Sequence, residues 1–310
     1  MAVTFNQLAI RVKQQLLGYT RNQAAITFLT APMTATDTSF TVDLSSVKSV
    51  SKGLVEIDDE LILVKNYDQA TGTVNVFAGL NGRGAEGTTA ATHSTDAIIT
   101  ADPRYPLKRV KEAINDAIQG VYPDLWVFGT HEFAWTAARY EYPIPAEAEG
   151  VYRVMTNTIG PSAVWFPNTS WRFNSQASTT AGQVKPTPTP TGKTIQVMRD
   201  FVVPGRNVRV IYTKKPTILT NGSDDFATTT GLEERIVDLI VYGACWRLLP
   251  AYEAGRLQQQ SIEATERAPL VPTGAAADAS QYYLGLYQRR LMEERDRMLD
   301  LYETYQTWNS

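Results

Sequence analysis

Hydrophobic residues recur with two different periods along this 310-residue chain, and the switches between them mark out its parts. Phe5, Leu8, Ala9, Val12 and Leu16 repeat at helical spacing, so the pattern predicts a helix over 4–17 that Thr4 caps and Gly18 ends. From Ala25 to Thr100 the period falls to two, through Phe40-Thr41-Val42, Leu54–Ile57, Leu61–Val64 and Thr73–Phe77. Five or six short antiparallel strands are expected over 29–101, with Asp58-Asp59 and Gln69–Gly72 as hairpin turns. A second helix is expected over 106–121, where Leu107, Val110, Ile114, Ile118 and Val121 share a face and Lys108, Arg109, Lys111, Glu112 and Asp116 lie off it. Strand signals return at Tyr140–Ile144, Val151–Thr156, Thr194–Met198 and Val208–Tyr212, around a polyproline-like run at Gln183–Gly192.

The rest reads as helix. Leu232–Tyr252 is apolar on more than one face, which predicts a helix held between other elements. A Pro/Gly/Ala stretch (Pro269–Ala277) then leads into a long helix over 278–307. Its stripe is Leu284, Tyr287, Leu291, Met298, Leu301, Tyr305 and Trp308, with Glu294 the one polar intrusion and a band of Arg, Asp and Glu alongside. Together these elements predict an α+β fold: a discontinuous helical bundle with inserted antiparallel β-modules and a long C-terminal helix. The bundle is assigned to 1–28, 103–128 and 229–268, the β-modules to 29–102 and 129–228, and a C-terminal arm to 269–310.

Composition narrows the chemistry. A net charge of −3 argues against an electrostatic grip on nucleic acid. No apolar run is long enough to span a bilayer, and the N-terminal residues lack the apolar core of a signal peptide. Two histidines (His93 and His131) and one cysteine (Cys245) leave few candidates for metal or nucleophilic catalysis. Neither histidine has a partner at metal-ligand spacing, and Cys245 falls among apolar residues in mid-helix, so catalytic, cofactor and metal sites are all expected to be absent. The glycine-rich run Gly79–Gly87 lacks the lysine and following helix of a phosphate cradle and reads as a turn. Asp58-Asp59-Glu60 and Asp224-Asp225 are carboxylate pairs of the kind hairpin tips carry. With Trp165, Trp171 and Tyr152 as a platform, they leave a glycan-binding β-domain as the alternative function.

The surplus is aromatic: 15 Tyr, 10 Phe and 6 Trp. Six of these lie in the last helix or just past its end, interleaved with arginines, the composition of an interface. That helix would run to about 45 Å, more than a small bundle needs. The expected partner contacts are Tyr287, Arg290, Leu291, Arg295, Met298, Tyr302, Tyr305 and Trp308.

Two stretches carry a family resemblance. Gly53–Val64, Gly79–Gly87 and Thr88–Ala97 resemble a β-module of tailed-bacteriophage virion proteins. The second helix and the passage Val210-Ile211-Tyr212, Pro216, Asp224-Asp225-Phe226, Gly231–Val237 resemble head-to-tail connector, or neck adaptor, proteins. The resemblance implies a structural, non-enzymatic part: a ring, commonly of twelve copies, docked on the portal protein. It would bridge the portal to a tail or stopper protein, and double-stranded DNA would pass through it without sequence-specific binding. It further implies a virion component assembled in the host cytoplasm, with a C-terminal helical arm on the portal and no membrane; the alternative is a phage tail or baseplate component with the glycan-binding β-domain.

Overall fold

The fold was analysed in a computed structural model, which describes residues 2–17, 25–43, 52–79, 82–136, 141–157, 164–175, 191–197, 205–260 and 275–302. In chain order the elements begin with α1 (Phe5–Leu17), β1 (Ala25–Phe28), β2 (Ser39–Thr41), β3 (Gly53–Ile57), β4 (Glu60–Asp68), β5 (Thr73–Val76) and β6 (Ile98–Ala101). Next come α2 (Leu107–Gly120), β7 (Val127–Ala134), β8 (Glu141–Pro143), β9 (Gly150–Asn157), β10 (Trp165–Asn168), β11 (Trp171–Asn174), β12 (Thr194–Val197) and β13 (Asn207–Lys214). Three helices close the chain: α3 (Phe226–Thr230), α4 (Val237–Gln260) and α5 (Ala275–Leu301). The fold is α+β, as the periods predict.

Helices from distant parts of the sequence share one core. Phe5, Leu8 and Val12 of α1, Val110, Ile114 and Ile118 of α2, and Leu239, Ile240 and Ala244 of α4 bury together, and Tyr287 of α5 joins them. Each large side chain so buried contributes about 1.5–3 kcal/mol. α1 starts with a reciprocal cap: Gln7 N–H donates to Thr4 Oγ1 at 3.3 Å, and Thr4 N–H donates to Gln7 Oε1 at 3.0 Å. Gly18, the expected stop, lies outside the described residues. α4 departs from its expected bounds of 232–252. Glu233 is extended and Glu234–Ile236 form a 3₁₀ turn, so the α-helix proper begins at Val237, and it runs through Pro250 to Gln260.

The first β-module is a six-stranded antiparallel sheet in the order β1-β6-β3-β4-β5-β2, beginning at Ala25 rather than at residue 29. The Leu29–Val42 bridge joins its two edges, and Thr30 N–H donates to Thr41 O at 3.0 Å. Leu29, Val42, Ile57, Ile62, Val64, Val74 and Ile99 fill its interior. Asp58-Asp59 and Gln69–Gly72 do form the β3–β4 and β4–β5 turns. The module is tied to the helices by charge. Glu56 accepts from the backbone N–H of Leu107 at the start of α2 and from Lys13 Nζ at 2.9 Å. Lys111 Nζ reaches Asp59 at 2.7 and 2.8 Å. Pro106 precedes α2 without a side-chain cap, so the Glu56 carboxylate takes over that task.

The second β-module pairs a four-stranded sheet, β10-β9-β13-β7, with a three-stranded one, β11-β12-β8. Tyr142, Val154, Ile195, Val208, Val210 and Tyr212 from both sheets share a core. The strands of β7, β10 and β11 were not predicted. Most of the polyproline-like run, 183–190, lies outside the described residues.

Candidate functional site

α5 lies antiparallel on α4, and the contacts between them can be followed pair by pair. Ser280 Oγ donates to Trp246 O at 3.0 Å, the Tyr287 ring packs on Gly243, and Glu294 meets Arg235 ahead of α4. A Cβ on Gly243 would come within 3.1 Å of the Tyr287 ring and 3.0 Å of Ala117 Cβ, so glycine there is what lets the helices approach. Tyr287 is buried, its hydroxyl donates to Gly120 O at 3.4 Å, and burial raises its pKa. Leu291 and Met298 pack half-buried against the same core.

Glu294 explains its own intrusion into the apolar stripe. Its side chain is only 3% exposed, yet three guanidinium groups converge on it. Arg235 pairs with it, Arg290 Nη2 stands at 2.9 Å, and Arg297 Nε stands at 3.5 Å. Arg235 and Arg297 also bridge to Glu233, at 2.8 and 2.6 Å. Burial pushes the Glu294 carboxyl up, Arg290 pulls it back, and Glu233 and Glu293 add repulsion that raises it further. The cluster fastens α5 to the turn that begins α4.

The structure places six of the eight expected contact residues. Tyr287, Leu291 and Met298 face the chain's own core. Arg290 is held by Glu293 and Glu294, both at 2.9 Å, and Arg295 by Asp296 at 3.3 Å with Asp124 at 4.0 Å. Tyr302 follows the last helical residue and sets its ring 4.8 Å from Phe128 and 6.1 Å from Tyr152, on the second β-module. Tyr305 and Trp308 lie outside the described residues. Leu301, assigned to the inner stripe, is instead exposed at 56%, one turn beyond Arg297, which already pairs with Glu233 ahead of the start of α4.

Sequence reasoning missed an outward face. Tyr282, Met292 and Leu299 are exposed on the side of α5 away from α4, alongside Gly285, Arg289 and Asp296. The seven-residue step from Met292 to Leu299 was the available signal, overshadowed by the stronger inner stripe.

The residues weighed for chemistry resolve into structural roles. Glu60 is buried inside the glycine-rich loop, where it accepts from Arg83 Nε at 2.7 Å, Arg83 Nη2 at 2.9 Å, Gly84 N–H at 2.9 Å and Ala91 N–H at 3.0 Å. Burial opposes its charge, but these bonds hold its carboxyl at about 2. Arg83 spends its remaining donors on the carbonyls of Thr34, Asp37 and Ala91 at 2.6, 3.0 and 2.7 Å. The backbone N–H of His93 donates to Met33 O, and its buried ring bridges Asp58 at 2.8 Å and Glu60 at 2.9 Å. Gly84, with φ +63°, opens the turn, and no α-helix follows it. Asp224 accepts from the N–H groups of Thr220 and Asn221, both at 2.8 Å, and Asp225 caps α3 through Thr228 N–H at 2.9 Å. Those bonds hold both aspartates below the usual carboxylate range. Cys245 is buried and its thiol pushed up to about 12.

His131 faces Phe133 with ring centroids 6.1 Å apart. Trp165 lies under Arg209 and Trp171 packs on the module core, so the tryptophans of the glycan alternative stand on different sheets. Among the described residues no group of three or more His, Cys, Asp and Glu is placed to hold a metal ion. No helix among them is long and apolar enough to cross a membrane.

A helical core carrying β-modules, with its polar clusters bonded internally and a long helix ending in aromatics, defines a part built for contacts. Comparison with known proteins specifies which kind. The family described as SU10 adaptor protein matches residues 88–306, more than two thirds of the chain, and the chain belongs to that family. It is thus a phage structural adaptor, a virion component that works with other virion proteins. No curated protein matches it.

Proposed function

We propose that the protein is a neck adaptor whose copies form a ring, of twelve by the resemblance, on the portal of the capsid. The ring connects the DNA-filled head to a tail or stopper protein and leaves a channel through which the genome passes. It acts without catalysis or cofactor. The observation that carries this reading is the reach of the family match, which runs from the end of the first β-module through α4 and α5 into the aromatic C-terminus. The portal contact is then assigned to the part of the arm not committed to the chain's own core, Tyr302, Tyr305 and Trp308 with Arg295 at its edge, while Arg290 is held in the Glu294 cluster that fastens α5. Tyr287, Leu291 and Met298 act by holding α5 in place.

The test is imaging of the purified protein with and without its portal, together with native mass spectrometry. Rings that stack coaxially on portal are expected; a monomer that ignores portal under all assembly conditions would remove the reading.

A further inference from the structure

The four-stranded sheet of the second β-module has an outer face unlike a solvent face. Alternation along β13 turns Val208, Val210 and Tyr212 to the core and Arg209, Ile211 and Thr213 outward. Register carries that side across the sheet to Glu132 and Phe128 of β7, Met155 of β9, and Trp165 of β10. A register shift at Ile211/Tyr212 makes Tyr152 the extra residue of a bulge, which re-aims it beside Arg153. The Arg153 guanidinium stands 5.4 Å from the Tyr152 ring, and the Phe128 ring lies 4.9 Å from it. At the other end Arg209 stands 4.1 Å over Trp165 and its Nε donates to Glu132 at 2.6 Å. The outer face of an antiparallel sheet is ordinarily polar. Here Phe128, Tyr152, Met155, Trp165 and Ile211 stand half-exposed among Arg153, Arg209 and the polar Thr130, Glu132, Asn157 and Thr213, a mixture rich in aromatic, Met and Arg side chains as interfaces are.

α5 ends on that strip, with Tyr302 against Phe128 and Tyr152. Eight residues follow, Glu303–Ser310, and they carry Tyr305 and Trp308. Tyr302, Tyr305 and Trp308 are three apart, the period that puts side chains on one side of an extended three-residue-per-turn chain. The reach is sufficient. From Tyr152 to Trp165 is one strand spacing and five residues along β9, about 17 Å. The six residues from Tyr302 to Trp308 span up to about 20 Å.

We propose that this outer face is a docking surface for residues 303–310 of the same chain, with Tyr305 over Met155 and Ile211 and Trp308 at the Trp165–Arg209 pair. Continuity through Tyr302 favours the chain's own segment, because a short tether sets a local concentration on the order of millimolar. The proposal rests on the adaptor reading, in which the same segment contacts portal: the free protein holds its arm end on its own sheet, and portal competes for it.

Disulfide trapping in the full chain tests this. In Met155→Cys/Tyr305→Cys, mild oxidation is expected to link most chains internally, and Trp165→Ala is expected to cut the yield at least five-fold. Cys245 stays silent because it is buried. Links between chains, or none, would overturn the proposal. Hydrogen exchange of the unsubstituted chain gives a second readout that needs no cysteine geometry. Protection of the 303–310 amides of at least ten-fold, lost in Trp165→Ala, is expected, and exchange at the free-peptide rate would overturn it. Portal binding by the chain truncated after Tyr302 separates the two ideas. Lost binding without an internal link leaves the adaptor reading and sinks the docking surface; retained binding with a link frees the docking surface from any portal role.

Discussion

The buried carboxylate of Glu60 shows what single residues contribute, and it gives predictions for its partner and for pH. Arg83 uses every N–H it has inside the first β-module, so Arg83→Ala leaves Glu60 buried without its counterion. A loss of about 3–5 kcal/mol is expected, measured by denaturant unfolding of the full chain. Arg83→Lys should recover little, since an ammonium has three donors where the guanidinium fork supplies five. The pH dependence follows from the depressed carboxyl of Glu60, held at about 2 against 4.5 in a free chain. The unfolded chain takes up the proton first, so the stabilisation is complete above about pH 5 and is lost as pH falls towards 2, by about 3 kcal/mol in all. Exchange protection of the β3 and β4 amides should therefore fall between pH 5 and pH 3, and Glu60→Gln should flatten that slope. The glycine-rich run was legible as a turn, because φ above zero and the lack of a following helix are local matters. That Arg83 inside it neutralises Glu60 was not legible: the two are 23 residues apart and no periodicity links them.

The elements show the same division between local and distant information. The four long helices were readable because an apolar face repeats at 3.6 residues. The start of α4 was not, since Leu232 and Ile236 are buried in the core whether or not the turn between them is α-helical. The heptad stripe of α5 located the helix but could not say which surface it faced, because one apolar stripe fits a partner and an internal core equally well. The structure puts Leu284, Tyr287, Leu291 and Met298 on the chain's own core and leaves Leu301 exposed, while Tyr302, outside the stripe, meets the second β-module. Substitutions should split accordingly. Tyr287→Ala opens a cavity between α2, α4 and α5 and should cost about 3–5 kcal/mol. Glu294→Ala strands the guanidinium groups around it and should cost about 3 kcal/mol. Tyr302→Ala, at the helix end, should cost less than about 1 kcal/mol while weakening portal capture. Thermal unfolding paired with a portal pull-down separates the two effects; equal loss of stability at positions 287 and 302 would contradict the division. Removing everything after Ala277 is consequently a poor test of portal binding, since it strips a wall from the helical core as well as the arm.

At the scale of the whole molecule, charge decides what the proposed channel can do with DNA. Phosphate contacts supply most sequence-independent affinity, and each one made releases counterions and steepens the dependence on salt. A channel that let the genome slide would need few such contacts per subunit. The chain's net charge is −3, and many of its cations are already committed inside the molecule. Arg83 is closed on Glu60, Arg235 and Arg297 on Glu233 and Glu294, and Lys13 on Glu56. These pairings withdraw some of the chain's cations from any contact with phosphate, and the negative net charge opposes a grip by the rest. Free duplex DNA should therefore bind the isolated protein more weakly than about 10⁻⁴ M near physiological salt, below the usual range for non-specific binders. Fluorescence anisotropy of a labelled duplex, titrated with protein at several salt concentrations, measures it. A flat titration agrees with passage. Micromolar binding with a slope of several counterions would mean that the ring concentrates its cations on one face, and a channel that brakes DNA would replace one that lets it run.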